Sequence, residues 1–135
     1  MNNNGEPQSQ ARTYDLTERT ARLGEKIILF AKKVPRSPVN NPLTTQLVKA
    51  GTSVGANYNE ADEAESLRDF RHKMGICRKE SRESKYWLRM IAVAEPSLRD
   101  EAAELWRETK ELHLIFCKSV RTCDTKLAGK RSRHV

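Results

Sequence analysis

Apolar residues recur at three-, four- and seven-residue spacings in four successive stretches, separated by proline-rich, acidic or serine-containing breaks. That period is the 3.6-residue turn of an α-helix, and no stretch shows the two-residue alternation of a strand. The first seam runs Leu16, Leu23, Ile27, Phe30 and Val34, with Asp15 and Glu18 spaced as a capping box at its start. The segment VPRSPVNNP then carries three prolines and cannot stay helical, so it reads as a loop.

The second seam is Leu43, Leu47, Ala50, Val54, then Asn57 or Tyr58, and Ala61, opened by Asn41 as N-cap and Pro42 in the first turn. Gly51 and Gly55 interrupt it at a cost of about 1 kcal/mol each relative to alanine, which predicts close approach of another helix. The acidic run from Glu60 to Glu65 ends this helix, and Ser66 with Asp69 caps the third. Its face carries Phe70, Cys77, Ser81, Ser84, Leu88 and Ile91, with Ile76 and Trp87 on the shoulder, until Pro96 breaks it. Ser97 opens the fourth, with the seam Leu98, Ala102, Leu105, Thr109, Leu112, Phe116, Val120 and Cys123. These elements predict an all-α protein, an antiparallel up-down-up-down four-helix bundle over residues 14–124. A disordered tail is expected at residues 1–13 and a solvated basic tail at residues 125–135.

Composition changes this picture little. Apolar residues make up 37% of the 135 and the mean hydropathy is −0.76, which suits amphipathic helices with broad wet faces. The longest apolar runs, Ile27–Ala31 and Met90–Ala94, fall far short of the roughly 20 residues that span a bilayer. The polar start MNNNGEPQSQ has neither the basic beginning nor the apolar centre of a signal peptide, so the cytoplasm is the expected location and no membrane partner is expected. Cys77, Cys117 and Cys123 form no C-x-x-C pair, and Cys77 and Cys123 lie on apolar seams as buried thiols.

Charge changes it more. The net +7 is concentrated: residues 66–95 carry +4 and residues 121–135 carry +4, while residues 1–65 sum to zero. Within the third helix, Arg71, Arg78, Arg82, Lys85 and Arg89 fall within roughly 60° of one another at about 100° per residue. Such i,i+4 repulsions cost about 0.2–0.5 kcal/mol each, so an anionic counterpart is expected. It could be carboxylates, from another subunit or from Glu60, Asp62, Glu63 or Glu65, or it could be the phosphates of a nucleic acid. Lys126, Lys130, Arg131 and Arg133 would add a second, flexible contact.

Catalytic constellations are missing from the pattern. A di-metal bundle site needs Glu-x-x-His on two helices, whereas only Asp69-x-x-His72 approaches it and His113 stands apart. Ser81, Ser84 and Cys77 share a face with no histidine at hydrogen-bonding spacing, and no glycine-rich loop follows a strand. The reading is therefore of a non-enzyme with no catalytic residue, metal or cofactor. Trp87 and Trp106 adjoin apolar seams and read as core or subunit-interface residues. The polar breaks Asn57 and Glu80 read as structural: a buried carboxylate needs a partner, so Glu80 is expected to pair with Asn57 or with a cation such as Lys49.

Residues 46–91 contain Ser53-Val54-Gly55-Ala56-Asn57-Tyr58-x-Glu60-Ala61, Asp69-Phe70 and Lys79-Glu80-x-x-Glu83-x-x-Tyr86-Trp87-Leu88. In order and spacing these motifs resemble the large-subunit (23S) rRNA intervening-sequence proteins, with looser similarity over roughly residues 14–120. The resemblance implies a bacterial cytoplasmic four-helix bundle that forms homopentamers, with no established enzymatic activity. In fold the chain is also similar to accessory proteins of diversity-generating retroelements, pentameric basic rings that bind nucleic acid beside a reverse transcriptase. The expectation is an oligomeric bundle, a pentamer, associating with RNA or a reverse transcriptase/RNA complex through its basic helix face. The alternative is a protein-binding adaptor that makes no nucleic-acid contact.

Overall fold

The computed structural model describes the backbone of residues 8–133 and the side chains of residues 16–130. Four helices follow one another: α1 (Gln8–Lys33), α2 (Asn40–Asp62), α3 (Leu67–Ala94) and α4 (Arg99–Arg133), with a single 3-10 turn at Pro96–Leu98 before α4. Each helix packs against its neighbours in sequence, and α1 closes the ring against α4, while the backbones of the diagonal pairs stay apart among the described residues. Named contacts fix the directions. Gly51 of α2 meets Ile27 and Gly55 meets Thr20; Cys77 of α3 bonds Val54 and Lys73 meets Glu60; Arg71 bonds Asp124 and Lys85 lies over Trp106. In every pair the numbers rise on one helix as they fall on the other, so successive helices are antiparallel.

The seams form one core. Leu23, Ile27 and Phe30 of α1, Leu47 and Val54 of α2, Leu88 and Ile91 of α3, and Leu112, Phe116 and Val120 of α4 are all buried. Met74 joins them, and at the ambiguous position of α2 the buried residue is Tyr58, with Asn57 only half-buried. Hydroxyls that fall inside the core are satisfied locally: Thr109 Oγ1 donates to the Leu105 carbonyl at 2.6 Å, and Ser84 Oγ to that of Glu80 at 2.8 Å. Short side chains at Ser81 and Ser84 also let neighbouring helices approach α3. On α2 the glycines serve the same end. A Cβ on Gly51 would collide with Ile27, and one on Gly55 would stand 3.2 Å from the Thr20 carbonyl oxygen.

Helix ends differ from expectation in four places. α1 is already helical at Gln8, upstream of Asp15, because nothing between Pro7 and Leu16 breaks a helix and extending a formed one costs little; residues 1–7 lie outside those described. α2 is opened by Ser37 and not by Asn41: Asn40 N–H donates to Ser37 Oγ at 2.9 Å, and Ser37 N–H donates back to Asn41 Oδ1 at 3.2 Å. Ser97 sits inside the 3-10 turn that Pro96 imposes. α4 runs through Lys126 and Lys130 to Arg133, since only Gly129 among those last residues disfavours a helix. Ser66 caps α3 as expected, its Oγ accepting from Asp69 N–H at 3.0 Å. Among the described residues no helix is long and apolar enough to cross a membrane.

Candidate nucleic-acid interface

Arg71, Arg78, Arg82, Lys85 and Arg89 all belong to α3, and their spacing carries them along its flank toward α4. Arg71 Nε donates to Asp124 Oδ1 at 2.8 Å and Nη2 to Oδ2 at 3.3 Å. Lys85 Nζ stands 5.4 Å from the centre of the Trp106 ring, and Lys110 Nζ approaches the same ring at 5.6 Å. Arg89 lines a small pocket with Arg99 and Trp106. Arg78, Arg82 and Arg89 form no ion pair among the described residues.

The carboxylates of α2 do not answer this stripe. Glu60 is ion-paired with Lys73, on the other flank of α3. Asp124 apart, the paired carboxylates of α4 are turned the other way: Glu108 and Glu111 hold Arg19, with Nη2–O distances of 2.8 and 3.2 Å, and Glu101 holds Lys33 at 3.1 Å. Over the span from Glu101 to His113, α4 therefore sorts its charge sideways, with Glu101, Glu108 and Glu111 toward α1 and Trp106, Lys110 and His113 toward α3. His113 registers the result. Burial, then the cations Lys85, Arg82 and Arg78, push its imidazole below the ordinary histidine range. Its Nε2 lies 3.7 Å from Cys117 Sγ.

Sequence spacing assigned the α3 residues but missed Lys110, Arg99 and His113. Only the packing of α4 against α3 brings these to the same groove. Lys126 and Lys130 are exposed on the last turns of α4; the side chains of Arg131 and Arg133 lie outside the described residues.

Asn57 and Glu80 do not pair as expected. Asn57 Nδ2 donates to the Ser53 carbonyl at 2.9 Å, one turn back on its own helix, and not to Glu80. Glu80 is half-buried toward α2. Burial and then Glu83 raise its carboxyl above the ordinary range, while Lys79 and Lys49 act in the opposite sense. Lys49 thus acts on Glu80 through space, without an ion pair within 4 Å.

Burial pushes the Cys77 thiol up to about 12, and its Sγ sits 3.6 Å from the Val54 carbonyl oxygen, so it is a packed thiol and no nucleophile. Among the described residues no group of three His, Cys, Asp or Glu side chains could hold a metal ion. Trp87 packs against the core with its ring edge-on to Tyr86 at 4.9 Å.

Comparison with known proteins agrees with this architecture. A crystal structure of a protein of unknown function from the S23 ribosomal protein family of Bacteroides thetaiotaomicron VPI-5482 is similar with a TM-score of 0.73 at 24% identity, covering 81% of this chain and 97% of that one. At that identity the likeness speaks for the fold. No curated protein matches the chain. The profile of the 23S rRNA-intervening sequence proteins matches residues 12–117, most of the length, and the chain belongs to that family.

Proposed function

We propose that this chain is a non-enzymatic, cytoplasmic bundle that assembles as a homo-oligomer, a pentamer, and associates with RNA or an RNA–protein complex through the α3 flank that faces α4. The observation that carries the reading is the imbalance of that flank: Arg78, Arg82 and Arg89 have no carboxylate partner among the described residues, while Glu101, Glu108 and Glu111 of α4 are engaged with α1 and Asp124 answers Arg71 alone. Like charges at helical spacing are costly when unanswered, and phosphates answer them. Family membership supports an RNA-related role. Large apolar side chains left open to solvent, Leu29 at 60%, Leu114 at 55% and Val93 at 75%, support further burial between subunits. Lys126 and Lys130 extend the positive charge along α4, and Arg131 and Arg133 follow them in the sequence as part of the same proposed contact.

Arginines on a helix flank suit backbone contact better than base reading, so binding should be salt-sensitive and weak in sequence preference. The test is fluorescence anisotropy with a structured RNA at two salt concentrations, for the wild type and for Arg78→Glu/Arg82→Glu/Lys85→Glu. Binding that weakens with salt and disappears in a folded, equally oligomeric triple variant supports the reading. A wild type that binds no RNA overturns it and leaves the adaptor role, with the arginines serving contacts between subunits.

A further inference from the structure

Two ammonium groups on different helices converge on one indole. Lys85 Nζ and Lys110 Nζ lie 5.4 and 5.6 Å from the Trp106 ring centre. The adjoining pocket, about 310 Å³, brings Arg89 of α3 and Arg99 of α4 to the same ring, over a floor of Leu88, Ala92 and Ala102. None of the four cations forms an ion pair among the described residues. An aromatic face attracts ammonium groups through its quadrupole, so Trp106 is a holder of cations. A ring so engaged is no free platform for stacking a base. Four positive groups gathered from both sides of a groove, with a small apolar floor and no acid among them, match a tetrahedral oxyanion reached from two directions.

We propose that Lys85, Arg89, Arg99 and Lys110 form a phosphate notch, with Trp106 as the positioning residue that holds the two lysines. Its occupant is a phosphate group of an RNA strand. This rests on the RNA-binding reading and sharpens it: the contact crosses from α3 to α4, and it is made to phosphate and not to bases. The phosphate could be internal to the chain or terminal, and the chemistry of recognition is the same.

The test uses the full chain and a structured RNA, with affinity measured by anisotropy over a series of salt concentrations. Lys85→Gln/Lys110→Gln puts neutral polar side chains in place of the two ammonium groups and removes two phosphate contacts, so the slope of log K against log salt should become shallower by about 1.5. Trp106→Leu should weaken binding and Trp106→Phe should restore most of it, a rescue that a merely space-filling role would not separate from Leu. RNA with and without a 5′-phosphate identifies the source, since equal affinity assigns the notch to internal phosphates and a loss without the 5′-phosphate assigns it to the terminal one. A Lys85→Gln/Lys110→Gln variant that keeps the wild-type slope overturns the notch while the α3 reading stands. A wild type that binds no RNA overturns both.

Discussion

Asp124 is the one α4 carboxylate paired with the basic stripe of α3 among the described residues, holding Arg71 through both of its oxygens. The pair closes one end of the α3–α4 groove and takes Arg71 out of the set of unanswered cations. The Arg71 guanidinium in turn holds the Asp124 carboxyl below the ordinary carboxylate range.

Asp124→Asn removes that competitor. Arg71 then becomes available to a phosphate, and the salt slope of RNA binding should steepen by about 0.7–0.9, the contribution of one added contact. Because the pair is solvent-exposed, the thermal midpoint of the free protein should stay where it is. Differential scanning fluorimetry beside the anisotropy series separates the two effects; a variant with an unaltered slope would remove Arg71 from the interface.

The glycines of the α1–α2 contact should respond in opposite senses. A Cβ at Gly51 meets Ile27 Cγ2 at 3.0 Å as well as its Cδ1, inside a fully buried site, so Gly51→Ala should destabilise by about 1–3 kcal/mol as overpacking. A Cβ at Gly24 would meet nothing nearer than Thr52 Cα at 3.7 Å, so Gly24→Ala should stabilise by about 0.5–1 kcal/mol through helix propensity. Urea midpoints of the two variants on either side of the wild type are the expected result, and a stabilised Gly51→Ala would mean that the helices can separate at no cost.

His113 should give folding a pH dependence of definite sign. Its imidazole titrates near 6.5 in the unfolded chain and lower in the fold, so between those values the unfolded state binds more protons. The stability that His113 contributes is complete above pH 6.5 and is lost as the pH falls through that value toward the folded pKa. Wild type should therefore lose more stability than His113→Gln between pH 7.5 and 5.5, measured by urea unfolding at each pH. Equal losses would mean that neither burial nor the α3 cations act on the imidazole. A bound polyanion would offset Lys85, Arg82 and Arg78, so RNA affinity should rise over the same descent in pH.

Most of the bundle was legible in the chain because burial has a period, and the seams from Leu23 to Val34 and from Ala102 to Cys123 state it plainly. Single-residue ambiguities were less legible: Asn57 and Tyr58 both fit the face of α2, and packing chose the larger, more apolar side chain for the core. The Asn57–Glu80 pairing failed for a local reason, since the Asn57 amide bonds the Ser53 carbonyl one turn back on its own helix. Helix ends at Gln8 and Arg133 escaped notice because continuing a helix needs no signal, only the absence of a breaker. The larger omission concerned handedness. A seam tells which face of α3 is buried but not whether α2 or α4 lies beside a given flank, and bundles turning left or right share the same seams. That choice decides whether Arg78 and Arg82 face Glu60 or His113, and with it the placing of Lys110 and Arg99.

The sideways sorting of charge on α4 also bears on how an encounter begins. A body with its acids toward one edge and its unanswered cations toward another experiences a torque in the field of a polyanion, and that torque acts before any atom touches. The molecule would turn its α3–α4 groove toward the strand during approach, over distances of about 10 Å at moderate ionic strength. Orientation would thus be selected in solution, and α4 would serve the bundle as a compass needle as much as a wall.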